Sequence, residues 1–155
     1  MKRILSGLLL VMTLFAAIQW PVNTYAMDMK APVSVEYMED GSSLEIYIEE
    51  TESFARTQSK SGKKTAVKKN AAGDKLWSVT VTASYTYDGK SAKCTSSSVS
   101  TASYNAHWKK YTATASKNGG TATASATFKL YSGANVTDTA SQKVTLTCSA
   151  SGKLS

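Results

Sequence analysis

Trp77-Ser78-Val79-Thr80-Val81-Thr82-Ala83-Ser84-Tyr85-Thr86-Tyr87-Asp88-Gly89 is the stretch whose reading decides the fold. In an extended chain successive side chains point to opposite sides, so Trp77, Val79, Val81, Ala83, Tyr85 and Tyr87 share one face. Ser78, Thr80, Thr82, Ser84 and Thr86 share the other, and no helical period competes. That alternation predicts a half-buried strand. Asp88-Gly89 predicts a two-residue hairpin turn, whose central residues need positive φ. Pairing Tyr87 with Lys90 would set Ala83 opposite Cys94, which places Cys94 on the core face with Trp77 and Val81.

Asn118-Gly119 repeats the signal between Thr112-Ala113-Thr114-Ala115-Ser116 and Thr121-Ala122-Thr123-Ala124-Ser125. Pairing Lys117 with Gly120 would set Tyr111, Ala113 and Ala115 opposite Ala126, Ala124 and Ala122, a thin apolar face extended by Phe128 and Leu130. The same register carries Lys109 onto Phe128, so a bulge is expected near Trp108 to Lys110, turning Trp108 inward. A last strand over Thr139 to Cys148 puts Ala140, Val144, Leu146 and Cys148 on one face. With a strand near Lys63 to Lys69 and another near Ala55 to Ser59, the count is six to seven. The expected fold is an all-β antiparallel two-sheet sandwich, immunoglobulin-like in a loose sense.

Three segments are expected along the chain. Lys2 and Arg3 followed by the largely apolar Ile4 to Ile18 and a polar exit read as a signal peptide over residues 1–26, since a membrane span needs roughly 20 continuous apolar residues. The mature protein is therefore expected to be secreted. In an oxidising compartment the even count of two cysteines predicts a Cys94–Cys148 disulfide, which could contribute about 4 kcal/mol. The spacing opposes a metal site, because there is no Cys-x-x-Cys and His107 is the single histidine.

Charge separates residues 27–52 from residues 53–155. The first carries eight acids against Lys30, about −7, and the second fifteen bases against Asp74, Asp88 and Asp138, about +12. The acidic segment has strand grammar around Asp40-Gly41, which would set Val33, Val35 and Tyr37 against Ile48, Ile46 and Leu44. Glu36 would then face Glu45, and like charges there are destabilising. The segment is either a disordered leader or a hairpin docked on a basic surface, and the disordered form is favoured because isolated hairpins are marginal in water. The basic domain is 53–155.

Phe54-Ala55-Arg56-Thr57-Gln58-Ser59, Leu76 to Thr82, Tyr87-Asp88-Gly89 before Cys94-Thr95-Ser96-Ser97, and Val144 to Ala150 together resemble small secreted proteins of unknown function from Gram-positive bacteria. The resemblance covers Phe54 to Ser155. It implies an exported bacterial domain with a Cys-linked, sandwich-like fold, and no activity.

Catalysis is poorly provided for. His107 is the only imidazole and the domain's three acids lie near expected turns, whereas a nucleophile needs a base within reach and a group to orient it. An enzyme, a cofactor and a metal are not expected. Lys60, Lys63, Lys64, Lys68, Lys69 and Lys75 crowd the first hairpin of the domain and form the candidate polyanion-binding set. The expected role is a non-catalytic module that binds an anionic cell-wall polymer or a protein partner, with peripheral membrane contact compatible with the charge and the acidic segment shielding the basic surface. Nucleic acid is not expected, because the aromatics fall on core faces. The alternative is an antibacterial or membrane-damaging protein that inserts the Tyr111 to Phe128 hairpin, against which stands the weak apolarity of its alanine face.

Overall fold

The computed structural model describes residues 31–51 and 58–155, and every regular element among them is a strand. The expected leader and most of the short strand expected at 55–59 lie outside the described residues. Two antiparallel sheets form. The first has the order β1 (Ser34–Tyr37), β2 (Ser43–Thr51), β3 (Ser59–Lys69), β4 (Lys75–Tyr87) and β5 (Ala92–Ser103), and the second β6 (Trp108–Asn118), β7 (Thr121–Ser132) and β8 (Asn135–Thr147). There are eight strands rather than six to seven, because the acidic segment adds two. Neighbours within each sheet are consecutive in sequence. Each sheet is thus a meander, and the Greek-key crossovers of an immunoglobulin-type sandwich do not occur among the described strands.

The faces follow the alternation. Val79, Val81, Ala83 and Tyr85 of β4 are buried, as are Ala122, Ala124, Ala126 and Phe128 of β7. Trp77 stacks on Phe128 across the two sheets, with ring centroids 4.8 Å apart, and the Tyr85 hydroxyl donates to the Leu146 carbonyl at 2.6 Å. Each such large apolar side chain taken from water contributes about 1.5–3 kcal/mol before chain entropy is set against it. The outward faces are Ser and Thr, tied across strands by Ser61–Ser84 at 2.9 Å, Thr65–Thr80 at 2.8 Å and Thr127–Ser141 at 3.0 Å.

The turns differ from expectation in length, and the consequences depend on parity. Tyr87 pairs with Ala92, not Lys90, because Asp88 to Ser91 form a four-residue turn in which Asp88 Oδ1 accepts from the backbone N–H of Lys90 and Ser91. Cys94 therefore lies opposite Tyr85 rather than Ala83, and a bulge at Thr95 follows. The two-residue turn of the second hairpin is Gly119-Gly120, flanked by Asn118 and Thr121, so Ala115 faces Ala124 and Ala113 faces Ala126. Both corrections are shifts of two residues and keep Cys94 and the Ala122, Ala124 and Ala126 row on the core face as read, but Tyr111, read onto the same apolar face, falls at an irregularity and is 61% exposed. The irregularity expected near Trp108 to Lys110 lies between Lys110 and Thr112, and Trp108 is buried.

The acidic segment is a hairpin built into the first sheet, with β2 hydrogen-bonded along β3 from Ser43–Lys69 to Thr51–Ser61. Its register differs from the expected one by a single residue, since Met38 to Ser42 make a five-residue loop: Glu36 faces Leu44 and Val35 faces Glu45. The face is therefore reversed. Val33, Val35 and Tyr37 point outward and are exposed, while Leu44, Ile46 and Ile48 reach the core cluster.

Beyond β8 the chain turns back. Cys148 bridges to Leu154, which is buried against Gly62, where a Cβ would stand 2.4 Å from Leu154 Cδ1. Gly152 makes the reversal at φ +83° with its α-carbon against the Tyr87 ring.

Candidate functional site

At one end of the sandwich the β1–β2 loop, the end of β3, the start of β4, Trp108 and the middle of β8 border an open cleft of about 510 Å³. That volume lies in the range of small-molecule sites. Leu44, Leu76, Trp77, Trp108 and Ala140 supply apolar lining. Asp40, Lys68, Asp138 and Gln142 supply polar groups.

Local sequence places each of these groups. Trp77 opens the inward face of β4, 3% exposed, stacked on Phe128 and edge-on to Trp108 at 6.5 Å and 67°. Its indole Nε1 is buried without a hydrogen-bond partner among the described residues; the only other such atom is Ser97 Oγ, which does not line the cavity. A buried donor left unpaired costs about 1–3 kcal/mol. Asp40 caps its own loop by accepting from the backbone N–H of Ser42 at 2.9 Å and from the Ser42 hydroxyl at 2.5 Å. Those two bonds, helped by the Lys68 charge, hold the Asp40 carboxyl below the ordinary aspartate range. Lys68 Nζ donates to Ser42 Oγ at 2.5 Å and lies 2.6 Å from Met38 Sδ. Asp138 Oδ1 accepts from the Thr139 N–H at 2.7 Å, and Gln142 Nε2 donates to the Lys143 carbonyl at 2.9 Å, which leaves Asp138 Oδ2 and Gln142 Oε1 as acceptors for a guest.

Of the lysines read as a single basic set, five divide between the two faces of β3 and Lys75 opens β4. Lys60 pairs with Glu50 at 2.7 Å and Lys69 with Glu45 at 2.7 Å. Lys63 is exposed opposite Glu49, and Lys64 lies between Ile48 and Val81. Lys68 belongs to the cavity, and Lys75 Nζ stands 5.6 Å from the Tyr104 ring centroid. Alternation along an extended chain forbids a contiguous patch from lysines at both odd and even positions. The acids of β2 take up two of these charges directly. Burial raises the Glu45 carboxyl, but hydrogen bonds from Lys69 and Tyr47 and the charges of Lys69 and Lys75 outweigh it and lower its pKa. The Tyr47 phenol, half-buried and donating to Glu45, is pushed up to about 12.

Cys94 and Cys148 both reach the core, as expected, but they stand as free thiols rather than a disulfide. They flank one turn, the Cys94 N–H donating to the Gly119 carbonyl at 2.7 Å and the Cys148 N–H to the Gly120 carbonyl at 2.9 Å. Each sulfur turns to a nearby carbonyl: Cys94 Sγ donates to Ser96 at 3.1 Å and Cys148 Sγ to Ser149 at 3.5 Å. Burial is the main cause that raises both thiol pKa values, which leaves them poor nucleophiles. His107 is exposed in the β5–β6 connection, where its backbone N–H donates to Asn105 Oδ1 at 2.9 Å.

Sequence reading assigned Trp77 and Trp108 to the core and Asp138 to a turn, and did not bring them together with Asp40 and Lys68. The chain was compared with protein-family models, with curated proteins and with solved structures, and it matches none of them.

Proposed function

We propose that this chain is an exported, non-catalytic binding module of a bacterial cell envelope, and that the cavity at the end of the sandwich is its ligand site. The observation that carries this reading is the cleft itself, which joins an apolar lining from Leu44, Leu76, Trp77 and Trp108 to polar groups from Asp40, Lys68, Asp138 and Gln142. Strands hold Lys68, Trp77, Asp138 and Gln142, as a binding site requires, while Asp40 sits on the β1–β2 loop. Export rests on the leader at residues 1–26 and on the likeness to small secreted Gram-positive proteins.

The acidic segment enters this reading as a wall of the site, because Asp40, Ser42 and Leu44 line the cavity. A removable shield over a basic patch is supported less well, since stripping β2 from β3 would break a full ladder of backbone hydrogen bonds. The membrane-damaging alternative would need Ala122, Ala124 and Ala126 to leave the core, where they are at most 3% exposed. Contact with an anionic polymer falls instead to exposed lysines such as Lys93, Lys110 and Lys143.

Co-sedimentation with purified Gram-positive cell walls tests the proposal. The wild-type chain should pellet with the walls, and Asp138→Asn combined with Gln142→Ala should reduce retention about tenfold, equivalent to roughly 1.4 kcal/mol. Equal retention of the rim variant would show that the cavity is not the site.

A further inference from the structure

β1 is the outer strand of the first sheet and, among the described residues, touches no strand except β2. The loop after it fixes which backbone groups face the open side. The Met38 N–H donates to the Ser42 carbonyl at 2.9 Å, which puts Met38 and Ser42 in line, as a hydrogen-bonded pair, with Glu36–Leu44 and Ser34–Ile46 of the ladder. Even-numbered residues thus direct their backbone groups to β2, while Val35 and Tyr37 turn theirs to the open edge. The Val33 N–H is already spent, donating to the Ile46 carbonyl at 2.7 Å.

Side chains mark the same edge. Of the seven large apolar side chains exposed among the described residues, Val33, Val35, Tyr37 and Met38 lie within six consecutive positions. The other strands that end a sheet, β5, β6 and β8, each carry lysine, a residue that discourages edge pairing, and β1 carries none. An open ladder with apolar side chains along it fits another extended strand, and β1 is its own complement. Antiparallel pairing about Val35 sets Val35 opposite its own copy, Val33 opposite Tyr37 and Ser34 opposite Glu36, so no charge meets its like. Pairing about Glu36 would oppose two carboxylates. Pairing about Ser34 would set Tyr37 opposite Ala31 and Glu36 opposite Pro32.

We infer that two copies of this chain dimerise through their β1 strands, paired antiparallel about Val35, so that the two five-stranded sheets continue as one. The N–H and C=O of Val35 exchange hydrogen bonds with those of the second copy. A strand pair of this length buries less than the ~1,200 Å² of lasting complexes, so the dimer is weak and its population follows concentration.

Disulfide trapping in the full chain reads the register. In this pairing Ser34 and Glu36 form a non-hydrogen-bonded pair with α-carbons about 4.5 Å apart, a separation that a disulfide spans. On mild oxidation a mixture of Ser34→Cys and Glu36→Cys chains should give cross-linked dimer at least about tenfold faster than either variant alone, because pairing raises the effective concentration of the two thiols. The unsubstituted chain should give none, since Cys94 and Cys148 are buried. Either variant alone cross-linking as fast as the mixture overturns the register about Val35. Sedimentation reads the edge itself. Val35→Pro removes an N–H that β2 does not use, so it should turn dimer into monomer at concentrations where the wild-type chain is dimeric and leave the urea midpoint unchanged. A midpoint that falls would show that β2 does use that N–H, and a dimer that survives would place the interface elsewhere. Either result overturns the inference, as does a wild-type chain that stays monomeric up to millimolar concentration. None of these three positions lines the cleft, so wall retention tests the ligand site separately.

Discussion

The contact between β4 and β7 and the pairing of β2 with β3 hold strands in two different ways. Between β4 and β7 the surfaces are apolar: Trp77 lies on Phe128, and buried alanines let the sheets approach. Between β2 and β3 the backbone ladder is dressed with charge, Glu50 on Lys60, Glu45 on Lys69 and Glu49 opposite Lys63. Burial is non-directional and cares only which face a residue is on, whereas ion pairs depend on the register itself. The core should therefore fail by cavity formation, and the hairpin by titration and salt.

The largest effect is expected where the sheets meet. Phe128→Ala removes the ring under Trp77 and should cost about 3–5 kcal/mol in urea unfolding, with β2 and β4 lost together. A loss below about 1 kcal/mol would mean that the two sheets do not share this core. Gly152→Ala comes next. A side chain there must adopt a left-handed φ of +83° and enter the Tyr87 ring, whose nearest atom would lie 2.5 Å from the new Cβ. A cost of about 2 kcal/mol is expected in the same assay, and a neutral result would show that the C-terminal turn is not docked on β4.

These two sites also show what the sequence could disclose. Phe128 was legible, because alternation settles the face even when the turn is misjudged: the Asp88 and Asn118 hairpins were each off by two residues, which keeps side chains on the same side until a bulge intervenes, as it does at Tyr111. The acidic hairpin was off by one, because a loop of odd length follows Tyr37, and its face came out reversed. Gly152 could not be read, since the tail after Cys148 has no periodicity and its position depends on meeting Tyr87 and Gly62 in space. The cavity was hidden for a related reason. It joins residues from five separate stretches, and nothing local to Asp40 or Asp138 marks them as neighbours.

Acid should separate the two kinds of attachment. The folded-state pKa of Glu45 is lowered, so its pairing contributes fully above the ordinary glutamate value and is lost as pH falls through the folded one. Amide protection factors in β2, taken against the intrinsic exchange rate at each pH, should therefore fall on acidification below the glutamate range while Val79 and Val81 stay protected. Glu45→Gln should abolish most of that pH dependence at a cost of about 1 kcal/mol at neutral pH, and uniform loss of protection across β2 and β4 would contradict the comparison. Lys60→Ala should do less, under about 1 kcal/mol and vanishing at high salt, because the Glu50 side chain is 38% exposed and the pair is screened.

The smallest expected effect is none. If the core is held by burial alone, a reductant should leave the thermal midpoint where it was, because Cys94 and Cys148 stand as thiols on either side of the Gly119-Gly120 turn. A bridge between them would close a loop of more than fifty residues and contribute about 4 kcal/mol by the chain-entropy model. Its reduction would then lower the midpoint on the order of 10 °C or more in a domain of this size. Thermal scans with and without reductant, paired with thiol counting after unfolding, separate the cases. Two alkylatable thiols and an unmoved midpoint place the whole attachment of β5 to β8 in packing and backbone hydrogen bonds. A falling midpoint would add a covalent staple to the apolar half of the molecule and leave the charged half as the only region held by non-covalent forces.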